Sequence, residues 1–487
     1  MKIAMKKFIF VILTIVAAVL TASAVDFSGS KDAIKRFCTA RGMTRAHVGL
    51  CVMDLQTGEL KVAYCERDSF IPASVTKLVT SATTMKAQPD GFSFITTVAC
   101  RGSVDDNGTL KGDLVVRASL DPTVESRFFK EHPSFIAGCL RAVKRCGIKK
   151  IEGRVVVDNT IYRENPVPDA WEDPDVAEDY GAGLFALNYA DNQALLKFET
   201  TADSLRLVEV MPKYAFGALD NRARIVSAKS AAGLRFFRKK NSETLRISGS
   251  MSRRNKPYTY RTTMSDAHRA FDNALTDSLA AHGVEVEGHN HERHHGEETI
   301  MFYSSPLLDD IVKSLLYRSD NMFAEAILRG NSVGFNKTIT RKHSLKKERH
   351  ILKEWDVDLR HVNLYDGSGL SRSNHFTPVF LASTLRAAYL DPKLGKRFSA
   401  LLPVCGRDGT VRRLLKDTRL DGRIALKSGS MNAVQSYAGY FPADEPRYAV
   451  VLMANKFTCS HSDIRKLIET LLLGVLAESP ADESNES

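Results

Sequence analysis

Near the C-terminal end, Ile464, Leu467, Ile468, Leu471, Leu472, Val475 and Leu476 recur at helical spacing on one stripe. Side chains three and four apart share a helix face, so this stretch predicts a final helix from about Ser462 that packs by its apolar stripe. Just before it the pattern changes to short β-favouring runs with turns between them. Arg423–Lys427, Ser436–Phe441 and Tyr448–Ala454 read as strands. Far upstream, Val48–Asp54 and Glu59–Cys65 flank Gln56-Thr57-Gly58 and read as a hairpin. Hairpin and late strands together predict one antiparallel sheet with the last helix packed on it. Ile71-Pro72-Ala73-Ser74 then suits a helix start, and Leu78 and Met85 continue a helical reading.

The middle of the chain has a different texture. Runs such as Asp113–Ala118, Gly153–Asp158 and Leu205–Met211 are short, strand-like and broken by Gly, Pro and Asp. They predict a β-rich region over 94–290, inserted into a discontinuous domain built from 25–93 and 291–478. No internal repeat is visible. The polar tail 479–487 is predicted to be disordered. Residues 1–24 have the three-part form of a secretory signal: Lys2, Lys6 and Lys7, then an apolar run from Phe8 to Leu20, then Ala22-Ser23-Ala24. No cysteine follows directly, which argues against a lipid anchor there. No later segment is apolar for long enough to span a bilayer. The expectation is an exported chain, periplasmic or wall-associated, cleaved near Ala24.

With 487 residues the chain has room for two or three domains and a large core. A formal charge of +11 raises the question of nucleic acid. Export and the scatter of Lys and Arg exclude that partner, leaving at most peripheral attraction to an anionic surface, or solubility alone. All eight cysteines lie beyond the signal segment. The hairpin brings Cys51 and Cys65 within reach of a disulfide, with buried free thiols as the alternative. No Cys-x-x-Cys spacing occurs, which disfavours a zinc ribbon. His289-Asn290-His291-Glu292-Arg293-His294-His295 could bind a metal, but a solvated loop is the better reading because a loop rarely fixes ligand geometry. No metal ion or organic cofactor is implied.

Three short motifs carry the chemistry. Ser74-Val75-Thr76-Lys77 puts an amine one helical turn from a hydroxyl, and a serine needs such a base to become a nucleophile. Lysine serves as a base only with a depressed pKa, from desolvation or from a second cation, for which Lys427 is the candidate. Ser319-Asp320-Asn321 supplies a hydroxyl and an amide; Ser319 is alternatively an N-cap for Met322–Leu328. Lys427-Ser428-Gly429 follows the β-favouring run, and its cation and hydroxyl can hold a substrate carboxylate. Gly429 leaves room for a ligand backbone at a strand edge. The backbone N–H groups of Ser74 and Ser430 could form an oxyanion hole. Each motif alone is weak; the order and local context of all three are specific.

The three motifs resemble the site of penicillin-binding proteins and serine β-lactamases, an α/β (α+β) fold with an antiparallel sheet flanked by helices. More closely, the chain resembles the class C low-molecular-mass penicillin-binding proteins, the D-Ala-D-Ala carboxypeptidase/endopeptidases. That likeness adds Gly112-Asp113-Leu114, Asp121-Pro122-Thr123, Trp171-Glu172-Asp173, Tyr180-Gly181-Ala182, Asp366-Gly367-Ser368-Gly369-Leu370-Ser371-Arg372 and Gly406-Arg407-Asp408-Gly409-Thr410. The resemblance implies that Ser74 attacks the penultimate D-alanine carbonyl of a peptidoglycan stem peptide. It further implies that cross-links are cut, that β-lactams trap the serine, and that Asp158 approaches the substrate's free amino group. Serine at 428 departs from the family's usual threonine but keeps the hydroxyl. A β-lactamase is the first rival, yet no Glu-x-x-x-Asn occurs between Asn321 and Lys427. An esterase of the same fold and a non-catalytic wall-binding protein are the others; intact Ser74, Lys77, Ser319, Asn321 and Lys427 speak against the last.

Overall fold

The computed structural model describes residues 25–201, 204–289, 296–334 and 338–478. The signal segment, the polar tail and most of the histidine-dense stretch lie outside the described residues. Among the described residues no helix is long and apolar enough to cross a membrane.

Early and late segments of the chain meet in one five-stranded sheet, in the order Ala425–Met431, Val434–Phe441, Tyr448–Asn455, His47–Asp54, Leu60–Tyr64, with every neighbouring pair antiparallel. The sheet separates two apolar layers. On one side Ile464, Ile468, Leu471 and Leu472 of helix His461–Val475 pack with Ile34 and Phe37 of helix Ser30–Thr39 against Leu50, Val52, Val450 and Leu452. On the other, helices Thr76–Ala87 and Pro378–Leu390 pack on Cys51, Met53, Val451 and Met453. Alternation along each strand sorts its side chains between the layers.

The hairpin forms because Asp54 Oδ1 accepts from the backbone N–H of Gln56 and Thr57, both at 2.9 Å. Its register pairs Leu50 with Tyr64 and Cys51 with Ala63. Cys65 falls past the strand end with φ 44, two residues out of register with Cys51, and of the two alternatives the free thiols are found. All eight cysteines are free thiols.

The inserted region opens with strand Ile95–Val104 and holds three sheets. The largest runs Glu285–Val286, Lys150–Ile151, Thr109–Arg117, Ile95–Val104, Glu297–Ser304, with Val155–Asp158 beside Thr109–Arg117. Texture places the end of the insert at 290, but Glu297–Ser304 pairs antiparallel along Ile95–Val104 and carries this sheet on to Ser304. A three-stranded sheet holds Gln193–Thr200 between Leu205–Met211 and Tyr258–Thr263, and a four-stranded sheet is centred on Thr244–Ser252. Two helices, Phe135–Arg145 and Ala267–Ala281, interrupt the β-rich pattern.

Helix Pro378–Leu390 approaches the sheet closely at Gly49, where an added Cβ would lie 2.7 Å from both Phe70 and Pro378. Gly49→Ala is therefore expected to cost about 1–3 kcal/mol through overpacking, read as a lower urea midpoint with an unchanged slope.

Candidate active site

A buried amine is the centre of the cleft. The 3₁₀ turn Ala73–Val75 leads into helix Thr76–Ala87, so Ser74 and Lys77 share one face. Ala73 adopts φ 50, a strained turn that presents the next residue at the cleft. Lys77 is fully buried. Its Nζ lies 2.8 Å from Ser74 Oγ, 2.6 Å from Asn321 Oδ1 and 2.6 Å from the Ser368 carbonyl. A neutral amine has two N–H donors and one lone pair. Asn321 and Ser368 can only accept from it, so they take both hydrogens and leave the lone pair for the Ser74 hydroxyl. The Asn321 amide cannot turn, because its Nδ2 donates to the Tyr180 carbonyl at 2.8 Å.

Burial pushes the Lys77 amine down from 10.5 to about 8, against the pull of Asp366, Asp320 and Glu325. Lys427 was the candidate for that effect, but burial is what depresses Lys77. Lys427 is itself held well below its ordinary value, by burial first and then by Lys77. Both amines therefore lie closer to neutrality than free lysine.

Ser319-Asp320-Asn321 is the joint between two helices. Ser319, with φ 63, ends helix Leu308–Arg318, and Asp320 caps helix Asn321–Gly330 by accepting from the Phe323 N–H at 3.0 Å. The cap is thus Asp320 rather than Ser319, which frees the Ser319 hydroxyl to accept from Lys427 Nζ at 2.9 Å.

Lys427, Ser428, Gly429 and Ser430 lie in the strand Ala425–Met431, at the edge of the central sheet. Lys427 also donates to the Ser428 carbonyl at 2.5 Å. Ser428 Oγ pairs with Thr410 Oγ1 at 2.7 Å, and Ser430 Oγ lies 3.3 Å from His461 Nδ1. Gly429 has a further reason to be glycine. An added Cβ would meet the Pro72 carbonyl at 2.8 Å and the Ser74 nitrogen at 2.9 Å, so this strand can press on the turn at Ser74 only without a side chain.

Ser74, Ser319, Asn321 and Ser430 line one cleft, with Glu172, Asp175, Tyr180, Arg318, Leu370 and Arg372 around it. Lys77 and Lys427 lie beneath it. Asp158 is not brought to this cleft. It ends strand Val155–Asp158, where it accepts from the Thr160 N–H at 3.0 Å and faces Arg117 at 3.7 Å. The cleft's acidic groups from the insert are Glu172 and Asp175. Motif reading also missed Ser368, Asp366 and Glu325. Glu325 Oε1 accepts from the Gly367 and Ser368 N–H groups at 2.9 Å each. The segments Ser319–Asn321 and Asp366–Arg372 stood out in the sequence, but nothing in them announces a carbonyl as a ligand of Lys77.

The profile of the D-Ala-D-Ala carboxypeptidase 3 (S13) family matches residues 31–473. A D-alanyl-D-alanine carboxypeptidase of Actinomadura sp. (strain R39) is 25% identical over 427 residues, 84% of this chain and 77% of that protein. The D-alanyl-D-alanine carboxypeptidase DacB of Haemophilus influenzae is 24% identical over 415 residues, 81% of this chain and 82% of that protein. The crystal structure of penicillin binding protein 4 (dacB) from Haemophilus influenzae shares the fold, with a TM-score of 0.77 at 20% identity over 91% of this chain and 97% of that one. That protein is also solved in complex with a β-lactam.

Gly429→Ala is expected to lift the edge strand off the turn at Ser74. The reactivity of Ser74 toward serine-directed acylating agents should fall by about tenfold or more, while the circular dichroism spectrum stays unchanged.

Proposed function

The chain belongs to the D-Ala-D-Ala carboxypeptidase 3 (S13) family, and we propose that it cleaves peptidoglycan stem peptides and their cross-links through an acyl-enzyme on Ser74. The observation that carries this reading is the buried Lys77 amine, 2.8 Å from Ser74 Oγ with its two hydrogens already taken by fixed acceptors.

In the first step Lys77 accepts the Ser74 proton as Oγ bonds to the carbonyl carbon of the penultimate D-alanine. The resulting oxyanion is met by the backbone N–H groups of Ser74 and Ser430. Ser319, held by Lys427, relays the proton taken by Lys77 to the departing nitrogen, which leaves Lys77 neutral again; the amide bond breaks and D-alanine leaves. Water then attacks the ester carbonyl, and the same groups return the proton to Ser74. A peptide lying along the free edge of Ala425–Met431 would place its terminal carboxylate at the Ser428 and Ser430 hydroxyls, near Lys427. Serine at 428 suffices, since the contact uses the hydroxyl. Such a substrate places the enzyme outside the cytoplasm, in keeping with the signal-like first 24 residues. β-Lactams acylate Ser74 because their strained amide occupies the place of the peptide bond.

Intact-mass spectrometry of the mature protein with benzylpenicillin tests this. One drug mass should be added to the wild-type protein and none to Ser74→Ala. Rapid drug loss without an adduct would point instead to a β-lactamase, and the absence of both adduct and drug loss would remove the acyl-transfer reading. The pH profile gives a second check. Lys77 works as a base only when neutral, and burial has lowered it from 10.5 to about 8. Acylation should therefore speed up about tenfold per pH unit below the midpoint and level off above about pH 8.

A further inference from the structure

Residues 171–180 of the inserted region meet the catalytic machinery directly. Glu172 pairs with Arg372 at 3.3 Å, and the Tyr180 carbonyl fixes Asn321. Next to Glu172 lies Trp171, which is 1% exposed and packs with Val167, Val176 and Leu370. Its indole Nε1–H donates to Asp366 Oδ2 at 3.0 Å, across the boundary between insert and catalytic domain.

Asp366 is a hub. Its Oδ1 accepts from the Gly369 N–H and from Asn374 Nδ2, both at 2.7 Å, and its Oδ2 accepts from the Ser371 N–H at 2.8 Å as well as from Trp171. These bonds fold residues 366–371 into a tight loop. Gly369, at φ +77, brings that loop against the turn carrying Ser74, where an added Cβ would lie 2.0 Å from the Ala73 carbonyl. The loop delivers two carbonyls to the helix of the nucleophile: Gly367 to Thr80 Oγ1 at 2.9 Å, and Ser368 to Lys77 Nζ at 2.6 Å.

We propose that Trp171 is a positioning residue for Lys77: its indole N–H fixes the Asp366 carboxylate, which fixes the loop whose Ser368 carbonyl aims the Lys77 lone pair at Ser74. This deepens the acyl-enzyme reading and rests on it. Trp171 touches no reacting atom. A packing role alone would need the ring and not the N–H, whereas all four donors on Asp366 are directional and Trp171 is the one that comes from the insert. The insert is thereby a working part of the active site as well as a wall beside it.

The test compares wild type with Trp171→Phe, which keeps an aromatic ring and removes the donor. Two quantities are read: the rate constant for acylation by benzylpenicillin and the pH midpoint of that rate. Wild-type acylation at Ser74 checks the underlying reading separately, so its failure is distinguishable from failure of this proposal. The groups facing Lys77 are Asp366, Asp320 and Glu325, with Lys427 beside them. Among these Asp366 exerts the largest attraction on the cation, so disturbing it should displace the midpoint. The expected result is acylation about tenfold slower, a displaced midpoint, and a melting temperature within a few degrees of wild type. A rate within twofold of wild type, or a midpoint that does not move, would overturn the proposal. Should the phenylalanine form fail to fold, the chain's two tryptophans permit a gentler change. Benzothienylalanine, incorporated for tryptophan in a Trp355→Phe background, replaces the N–H by sulfur at nearly the same shape. The same two readouts then decide, against the Trp355→Phe protein as reference.

Discussion

Everything at this site depends on keeping one primary amine out of water. A fully buried lysine is disfavoured as a cation, and that penalty brings Lys77 down to about 8, as the base role proposed for it requires. Burial alone would not aim it. The aim comes from two acceptors that cannot donate, Asn321 Oδ1 and the Ser368 carbonyl, each held from behind by a different element. Asn321 is held by the Tyr180 carbonyl, and Ser368 by Glu325 and the loop around Asp366. The orientation of the Lys77 amine is thus set by atoms drawn from separate segments of the chain.

The surrounding acids balance this arrangement. Asp366 is fully buried and Asp320 half-buried, and both are pushed up to about 6, chiefly by burial. Hydrogen bonds oppose that rise: the Phe323 N–H on Asp320, and Ser371, Asn374 and Trp171 on Asp366. Glu325 is paired with buried Arg329 at 2.5 Å. A buried pair of this kind is weak as a source of stability, but removing one partner would strand a buried charge close to Lys77. The lysines and acids therefore form one electrostatic unit whose members cannot be changed independently.

Two backbone approaches close the cleft. Gly429 lets the edge strand press on the turn at Ser74, and Gly369 lets the 366–371 loop press on it from the other side. In both places a carbonyl or nitrogen of the 72–75 turn occupies the space a Cβ would need. Glycine here serves contact between backbones, which is why the strand's own β-propensity did not reveal it.

The sequence by itself determined the local parts. Period-two and helical spacing located the hairpin, the late strands and the final helix to within a few residues, because burial on one face leaves its imprint position by position. Ser74 with Lys77 was legible because three residues along a helix bring two side chains to one face. The strand Leu205–Met211 was placed to the residue. Only the tertiary structure decided what meets across long separations. Cys51 and Cys65 were close in sequence yet two places out of register. Asp158 was turned toward Arg117 while Glu172 and Asp175 reached the cleft. A main-chain carbonyl, Ser368, became a ligand of Lys77 although every residue has one. Side-chain type is written in the sequence; which backbone atom faces which side chain is settled only when distant segments pack, and this site is built largely from such contacts.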